Sequence, residues 1–317
     1  MQKLLVVLIA FLCVFNSVSQ INKDSLWNIW NDPSQADTSR LKALADIGWE
    51  LIFINPDSAI QISHLHYDFA KMVDNKKGMS AALNVKALAY QNMGEFEKSM
   101  KYQNECLKIQ QDIGHQLGIA ASFNNISNMN AELGNITQAV IYAQKALSIR
   151  KKHGDKKGEG RSYNNIALIY NDQGNFEKAN SYYQKALKLK REVNDRSGIA
   201  STYNNLGNNC FEQKNWQKAM AYYQKSYDLY SSLKHDHGKA NALGNMGAVY
   251  REQGDLEKAI DLFLASDSIQ IRIDDKRGRI LSLSWIGDIY FHKGNYRKAL
   301  HYAEKANDIA QKIGALN

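Results

Sequence analysis

Histidine and carboxylate side chains stand close together near residue 236 of the 317-residue chain, in a combination that is suited to binding a metal ion. His235, Asp236 and His237 are consecutive, and two imidazoles with a carboxylate are suitable ligands for a divalent cation. His64 and His66 are two residues apart, which is a poor spacing for one face of a helix. No further ligand follows at a fixed spacing, and the sequence has no H-E-x-x-H motif, glycine-rich phosphate loop or nucleophile elbow. We therefore expect no metal site, no cofactor and no enzymatic activity.

Asparagine residues recur at intervals of 40 and indicate a different chemistry, the recognition of a peptide backbone. One column is Asn125, Asn165, Asn205 and Asn245, and a second column, one residue earlier in each block, is Asn84, Asn124, Asn164 and Asn204. Asparagine is a middling-to-poor helix former, so its recurrence requires a reason. Amides donate and accept hydrogen bonds, so they can bind an extended peptide or bond neighbouring repeats and hold them together. For the first column both explanations stay open, and for the second we favour exposure in a groove.

Other polar side chains share a helical stripe with the second column, at spacings near i, i+3, i+7 and i+10. The stripe is polar with scattered aromatic residues such as Phe211, which is typical of an interaction face. The candidate peptide-binding residues are Asn124, Asn125, Asn128, Arg161, Asn164, Asn165, Asn171, Asn204, Asn205, Asn208, Asn241, Asn245 and Arg251.

Lysine and arginine residues gather at the junctions between blocks. These clusters are Lys76-Lys77, Lys151-Lys152, Lys156-Lys157, Arg196, and Lys276-Arg277 with Arg279. A basic edge could meet acidic partners, lipid head groups or nucleic acid. We favour a simpler explanation, that the cations lie near helix C-termini and offset the helix dipole. We therefore expect no nucleic-acid partner through these residues.

The elements that must position all these residues are pairs of helices. Three columns share one period of 40: Gly78, Gly118, Gly158, Gly198, Gly238 and Gly278; Gly94, Gly134, Gly174, Lys214, Gly254 and Gly294; and Ala59, Ser99, Ala139, Ala179, Ala219, Ala259 and Ala299. Within a block, apolar residues recur at i, i+3, i+4 and i+7 on each side of a glycine that can end a helix. A composition of 44% hydrophobic and 23% charged residues with two prolines excludes disordered, collagen-like and proline-rich classes.

The segments YNNIALIYNDQGNFEKANSYYQKAL from Tyr163 and YNNLGNNCFEQKNWQKAMAYYQKS from Tyr203 resemble the tetratricopeptide repeat (TPR) family. The 40-residue form is similar to the variant of kinesin light chains, spindle-orientation adaptors and bacterial sensory proteins, and the resemblance covers roughly residues 76–315. It implies an all-α fold, a right-handed α-solenoid of about seven helix-turn-helix units. It also implies that the chain binds a protein or peptide without catalysing a reaction.

The period divides the chain into segments. We assign a signal peptide to residues 1–19, a cap or arm to 20–35, a degenerate first TPR to 36–75 and a tail to 316–317. Six full units occupy residues 76–115, 116–155, 156–195, 196–235, 236–275 and 276–315. The last predicted helix keeps an apolar stripe that requires a neighbour. We therefore expect further chain beyond Asn317. Self-association through this uncapped repeat and a frayed end with a partly exposed stripe are the alternatives.

The N-terminus reads as a secretory signal peptide. A basic start at Lys3 precedes an apolar run of 12 residues from Leu4 to Phe15, and small residues allow cleavage before Gln20. Because spanning a membrane requires about 20 apolar residues, we expect no stable span after cleavage. The mature chain keeps Cys106 and Cys210, which we expect to be buried free thiols.

These observations favour a non-enzymatic module, exported to the bacterial periplasm or secreted, whose concave groove binds a peptide or protein segment. One alternative follows from the resemblance to bacterial sensory proteins. The chain would then be the N-terminal sensory portion of a signalling protein, a histidine kinase or a helix-turn-helix regulator, whose effector domain is not in this sequence.

Overall fold

A computed structural model describes residues 20–313, and the predicted signal peptide and tail lie outside this range. The described residues form fifteen α-helices and no β-strand. In chain order these are α1 (Gln20–Asn31), α2 (Asp37–Ile54), α3 (Pro56–Met72), α4 (Lys76–Asn92), α5 (Phe96–Asp112), α6 (Gln116–Glu132), α7 (Ile136–Lys152), α8 (Lys156–Asp172), α9 (Phe176–Glu192), α10 (Arg196–Glu212), α11 (Trp216–Ser232), α12 (Asp236–Glu252), α13 (Leu256–Arg272), α14 (Lys276–His292) and α15 (Tyr296–Lys312).

Short turns in the left-handed conformation separate the helices within each pair. Gly174 ends α8 with a φ of 71°, as the sequence predicts, and the equivalent glycines of four other units adopt φ between 71° and 82°. Lys214 takes the same conformation with a φ of 54°, although the left-handed conformation is higher in energy for a residue with a side chain than for glycine. Asn175 then caps α9, because its Oδ1 accepts a hydrogen bond from the Lys178 N–H at 3.3 Å. The chain therefore reverses direction in three residues and lays the second helix against the first.

Small residues allow the two helices of a unit to approach closely. Ala179 on α9 and Ala167 on α8 are fully buried and share a core cluster with Tyr183 and Leu206. The alanines at the equivalent position of the other units are also buried. Because native cores are packed to crystal-like density, a larger side chain here would force the helices apart.

The pairs stack into a curved array whose inner surface is formed by the first helices. The first helices of successive units contact one another, as α8 does with both α6 and α10. In a curved stack the elements on the concave side are the closest together, so these contacts place α6, α8, α10, α12 and α14 on the inside. The curvature brings α14 back to α4, where an Arg277 Nη1 donates to Asn92 Oδ1 at 2.5 Å. Asn92 Nδ2 in turn donates to the Ile52 carbonyl at 2.6 Å.

The N-terminal end of the stack departs from the repeat pattern. Helix α1 covers the first unit, and its Trp30 is buried edge-on against Phe69 with ring centroids 5.0 Å apart. The Arg40 guanidinium lies over both rings, 4.7 Å from the Trp30 centroid and 4.5 Å from that of Phe69. Pro56 opens α3, where its missing N–H costs no hydrogen bond, and Asn55 caps the helix.

The basic clusters at the junctions require a correction. Lys151 and Lys152 lie in the last turn of α7, as predicted. The clusters that begin at Lys76, Lys156, Arg196 and Lys276 instead lie in the first turns of α4, α8, α10 and α14, so the C-terminal placement is wrong for them. The inter-unit turn is so short that neighbouring cations fall on opposite helix ends. A cation at a helix N-terminus is unfavourable to the dipole, so dipole compensation does not explain these clusters.

The two cysteines are buried free thiols, as predicted. Burial raises the pKa of both, and Cys106 Sγ lies 3.2 Å from the Ser80 carbonyl oxygen. The prediction of an all-α solenoid is confirmed. Across residues 20–313, no helix combines the length and the apolar character that crossing a membrane requires.

Candidate functional site

The two asparagine columns bond to each other across units. In three places the Nδ2 of a first-column asparagine donates to the Oδ1 of the second-column asparagine 41 residues earlier. The pairs are Asn125 to Asn84 at 2.8 Å, Asn205 to Asn164 at 3.2 Å, and Asn245 to Asn204 at 2.9 Å. The second-column oxygens therefore hold the stack together, and most of these amides are half-buried while Asn164 is buried. A role in binding would depend on the hydrogen-bond donors and acceptors that these amides do not use within the stack.

The ladder is interrupted in one place. Asn165 Nδ2 donates to Asn128 Oδ1 at 3.0 Å instead of to Asn124. Asn124 Oδ1 is consequently buried without a hydrogen-bond partner among the described residues. A buried acceptor without a donor is costly, so this oxygen is a favourable point for an incoming N–H group.

The ladder ends where the sequence replaces its members. Trp285 occupies the first-column position of the last unit, and the residue 41 positions earlier is Gly244, which has no amide to offer. Trp285 stacks on Phe263 with centroids 6.4 Å apart and lies under the Arg251 guanidinium at 4.0 Å. Arg251 also pairs with Asp288 at 3.6 Å, so this predicted binding residue is engaged within the protein.

The remaining predicted residues divide between internal contacts and exposure. Asn171 Oδ1 accepts from Asn209 Nδ2 at 2.9 Å, and Asn208 Oδ1 accepts from the Tyr223 hydroxyl at 2.9 Å. Asn241 is exposed, with its Nδ2 3.2 Å from His237 Nδ1. Arg161 is exposed on the inner surface.

An open cleft of about 610 Å³ lies on the inner surface. Its walls bring together Asn124, Asn125, Arg161, Asn164 and Asn165 of the predicted site. The other predicted residues lie outside it; these are Asn128, Asn171, Asn204, Asn205, Asn208, Asn241, Asn245 and Arg251. The cleft is further lined by Trp49, Asn84, Ala121, Arg150, Lys190, Asp195, Ser197, Gly198, Ser201 and Tyr230.

Two of these lining residues are buried cations that sequence reasoning missed. Arg150 Nη1 donates to the Gly158 carbonyl at 3.0 Å and to Ser162 Oγ at 2.6 Å. Burial, with a smaller contribution from Arg161, lowers the pKa of Arg150 to about 10. A charged side chain is rarely buried without polar partners, so these hydrogen bonds keep the Arg150 guanidinium in place.

The counterpart is Lys190, at the same position one unit later. Lys190 Nζ donates to Thr202 Oγ1 at 2.7 Å and to the Gly198 carbonyl at 3.2 Å. Burial lowers its pKa to about 8, against the opposing effect of the Asp195 carboxylate. The signal that could have found both cations is a fourth column at the same period of 40, which reads Gln110, Arg150, Lys190, Tyr230 and Gln270.

The glycine column in the first turn of the first helices makes room for this fourth column. A methyl group on Gly238 would lie 2.5 Å from carbons of the Tyr230 ring. On Gly198 it would overlap the Asp195 carboxylate and lie 3.1 Å from Lys190 Cδ. These glycines are therefore sites of close approach, and the second series, in the turns, provides the left-handed conformation.

The histidine cluster does not form a common site. His235 Nδ1 accepts the Gly238 N–H at 3.0 Å, Asp236 pairs with Arg272 at 2.8 Å, and His237 lies 3.5 Å from Asp275. Within the described part of the chain, no group of three histidine, cysteine or acidic residues is arranged to hold a metal ion.

The fold and the inner cleft define a class of protein, the α-solenoid interaction modules, which bind other proteins through the surface of a curved stack of helices. The chain belongs to the tetratricopeptide repeat family. Family models described as tetratricopeptide repeat match residues 78–152, 118–192, 158–232 and 198–266, and another matches residues 282–313. No curated protein sequence is significantly similar to this chain.

Solved structures share the fold at low sequence identity. The apo form of RapI has a TM-score of 0.62 at 17% identity, over 87% of this chain and 99% of that one. A Rap protein complexed with Competence and Sporulation Factor has a TM-score of 0.60 at 12% identity, over 94% and 98%. BtubC (BKLC) from P. vanneervenii has a TM-score of 0.56 at 20% identity, over 69% and 92%.

Proposed function

We propose that this protein is an exported, non-enzymatic module that binds a peptide or protein segment in extended conformation along the inner cleft. The observation that carries the proposal is the composition of the cleft wall, where amides from both asparagine columns come together. Each amide has two donors and one acceptor oxygen, so members of the ladder retain capacity for a further backbone group. Asn124 Oδ1, which is buried without a partner, would accept a peptide N–H.

The similarity to known folds supports the same proposal. One structural neighbour, the Rap protein, was solved in complex with Competence and Sporulation Factor, and it covers 94% of this chain. An extended peptide can gain affinity from main-chain hydrogen bonds and specificity from surfaces that receive its side chains. The aromatic side chains of Trp49 and Tyr230 line the same cleft and provide such surfaces.

A pair of matched substitutions tests where a peptide binds. Ala121 lines the cleft and is exposed, and Ala221 is exposed on α11, outside the cleft. Peptides selected from a displayed random library against the native chain should lose about ten-fold or more in affinity for Ala121→Trp, because the indole fills the cleft. The Ala221→Trp variant should bind them as the native chain does. Equal binding to both variants would place the site elsewhere.

Export is tested separately. The apolar run from Leu4 to Phe15 and the small residues before Gln20 are the features that support it. N-terminal sequencing of the protein purified from its native cells should give a chain that begins at Gln20, in the periplasmic or culture fraction. An intact Met1 in the cytosolic fraction would refute export.

A further inference from the structure

The positive charge of this protein is concentrated in one part of the chain. Residues 145–234 contain 17 of the 40 lysines and arginines but 8 of the 32 acidic residues, an excess of nine positive charges. That excess is larger than the formal net charge of the whole chain, which is +8. A concentrated field of one sign attracts ligands of the opposite sign and accelerates their association. Ten of the fifteen residues that line the inner cleft belong to this segment.

Three cations from this segment line the cleft, and they are close enough to influence one another. Burial is the main reason why the pKa of Arg150 and that of Lys190 are lowered, and the charge of Arg161 adds to the effect at both. Arg161 itself makes no hydrogen bond or ion pair with another residue of the range 20–313. Asp195 is the acidic residue among the lining side chains, and its Oδ1 already accepts the Gly198 N–H at 3.1 Å. Arg150 Nε lies 3.9 Å from Asp155 Oδ2, and the Asp195 carboxylate acts on Lys190, so Arg161 carries the positive charge of the cleft that the protein does not neutralise.

The buried cations are fixed in place before any ligand arrives. The Arg150 guanidinium is held by Ser162 and Gly158, and the Lys190 ammonium by Thr202. Groups that are already ordered lose little entropy when they bind a partner, which makes them effective recognition elements. The other units place uncharged side chains at this position, so the site is a local departure from the repeat.

We propose that this cationic cleft, lined by Arg150, Arg161 and Lys190, is the specificity site for the carboxylates of an acidic peptide segment. The proposal rests on the peptide-binding function proposed above and names the chemistry of the partner. Arg161 is the residue that would contact a carboxylate directly, because its planar guanidinium is exposed and can donate two parallel hydrogen bonds. Arg150 and Lys190 would lower the energy of the bound anion from the cleft wall. An acidic ligand would also relieve the repulsion among the three cations.

The experiment compares two synthetic probes on the full chain. One is a pentaglutamate peptide and the other a pentaglutamine peptide, both with blocked termini so that only side chains differ in charge. Calorimetric titration should show about ten-fold or tighter binding of pentaglutamate, since hydrogen bonds to charged groups contribute more than neutral ones. The affinity should fall as salt is raised, because screening weakens charge pairs. Equal affinity for the two peptides would overturn the proposal.

Two arginine variants separate a specific site from the general field. Arg161→Gln should reduce the affinity for pentaglutamate about five-fold or more, because it removes the direct contact. Arg191→Gln removes one charge from the same segment outside the cleft, and its effect should stay below about two-fold. Similar losses in the two variants would mean that the charge acts only diffusely, and the proposal would fail. Both positions are exposed, so neither substitution endangers folding.

Further comparisons separate a failure of the acidic-peptide inference from a failure of the proposed peptide-binding function. If library peptides depend on Ala121 while pentaglutamate does not bind, the cleft binds peptides without a carboxylate preference, and only the inference fails. If the Ala121→Trp variant binds both kinds of peptide normally, the proposed function itself fails. An oligothymidylate probe that bound more tightly than pentaglutamate, and lost affinity in Arg161→Gln, would overturn the acidic-peptide assignment in favour of nucleic acid.

Discussion

Removing one hydroxyl group from the core should stabilise this protein. Tyr183 is fully buried between α8 and α10, and its hydroxyl has no hydrogen-bond partner in the described structure. Tyr223 is its equivalent one unit later, and its hydroxyl donates to Asn208 Oδ1 at 2.9 Å. The difference arises because position 168, the counterpart of Asn208, is leucine. We predict that Tyr183→Phe raises the free energy of unfolding and that Tyr223→Phe lowers it.

The magnitudes follow from the two environments. A buried hydroxyl without a partner costs about 1–3 kcal/mol, so Tyr183→Phe should gain about 1 kcal/mol or more. A satisfied hydrogen bond contributes about 0.5–1.5 kcal/mol, so Tyr223→Phe should lose that amount. Asn208 Oδ1 would retain Asn245 Nδ2 at 3.4 Å and would not be left without a donor. The chain itself offers a precedent, because the third equivalent, Phe263, packs on Gly247 with no hydroxyl at all.

Urea denaturation followed by circular dichroism measures both effects as shifts of the midpoint at an unchanged slope. Leu168→Asn adds a partner for Tyr183 and serves as a rescue control, since Tyr183→Phe should stabilise less in that background. A shift of both phenylalanine variants in the same direction would refute the reasoning. It would mean that the hydroxyl environments do not differ as the geometry indicates.

Three further predictions concern glycine, acid and curvature. Gly198→Ala should lower the free energy of unfolding by about 1–3 kcal/mol, because the added methyl group overlaps its neighbours. Gly244→Ala should raise it by up to about 1 kcal/mol, because its methyl group meets only one oxygen, at 3.9 Å. Equal urea midpoints for the two variants would contradict this. Burial lowers the pKa of His66 to about 4, so the folded state resists protonation and stability declines as pH falls from about 6.5 towards 4. Between pH 7 and pH 5 the native chain should lose about 2 kcal/mol more than His66→Leu in urea unfolding, and equal losses would count against this burial. Arg277→Ala removes the contact with Asn92 and should change the free energy of unfolding by less than about 0.5 kcal/mol. It should nevertheless enlarge the radius of gyration measured by X-ray scattering, and an unchanged radius would show that the contact does not set the curvature.

The fold could be predicted because the packing constraints repeat. A small buried residue such as Ala179 is favoured wherever two helices of a unit meet, and a glycine such as Gly174 is favoured wherever the chain reverses in the left-handed conformation. Each constraint recurs every 40 residues, so several weak signals in one register became a strong one. The all-α solenoid and the TPR family followed from that register.

The candidate site was harder to predict because its contacts do not follow the period faithfully. Asn165 and Asn205 look identical in sequence, yet one bonds to Asn128 and the other to Asn164. The choice of partner depends on side-chain rotamers, which the amino-acid sequence of the repeats does not specify. The basic clusters were assigned to the wrong helix ends for a related reason, since only three residues, such as 153–155, separate the last turn of one unit from the first turn of the next.

The cationic wall of the cleft illustrates how a repeat protein can acquire a unique site without disturbing its fold. At the position of Gln110 the later units carry arginine, lysine, tyrosine and glutamine, side chains of very different charge and shape. Each of them packs beside a glycine eight residues later, whose missing side chain leaves room for any of them. The Ser162 hydroxyl accepts a hydrogen bond from Arg150, and the Thr202 hydroxyl accepts one from Lys190. In the next unit the column holds Tyr230, and the equivalent of these hydroxyl residues is Ala242, because no buried cation requires a partner there. Residues that keep the period hold the stack, and the proposed specificity site lies where residues depart from the period at a permissive position.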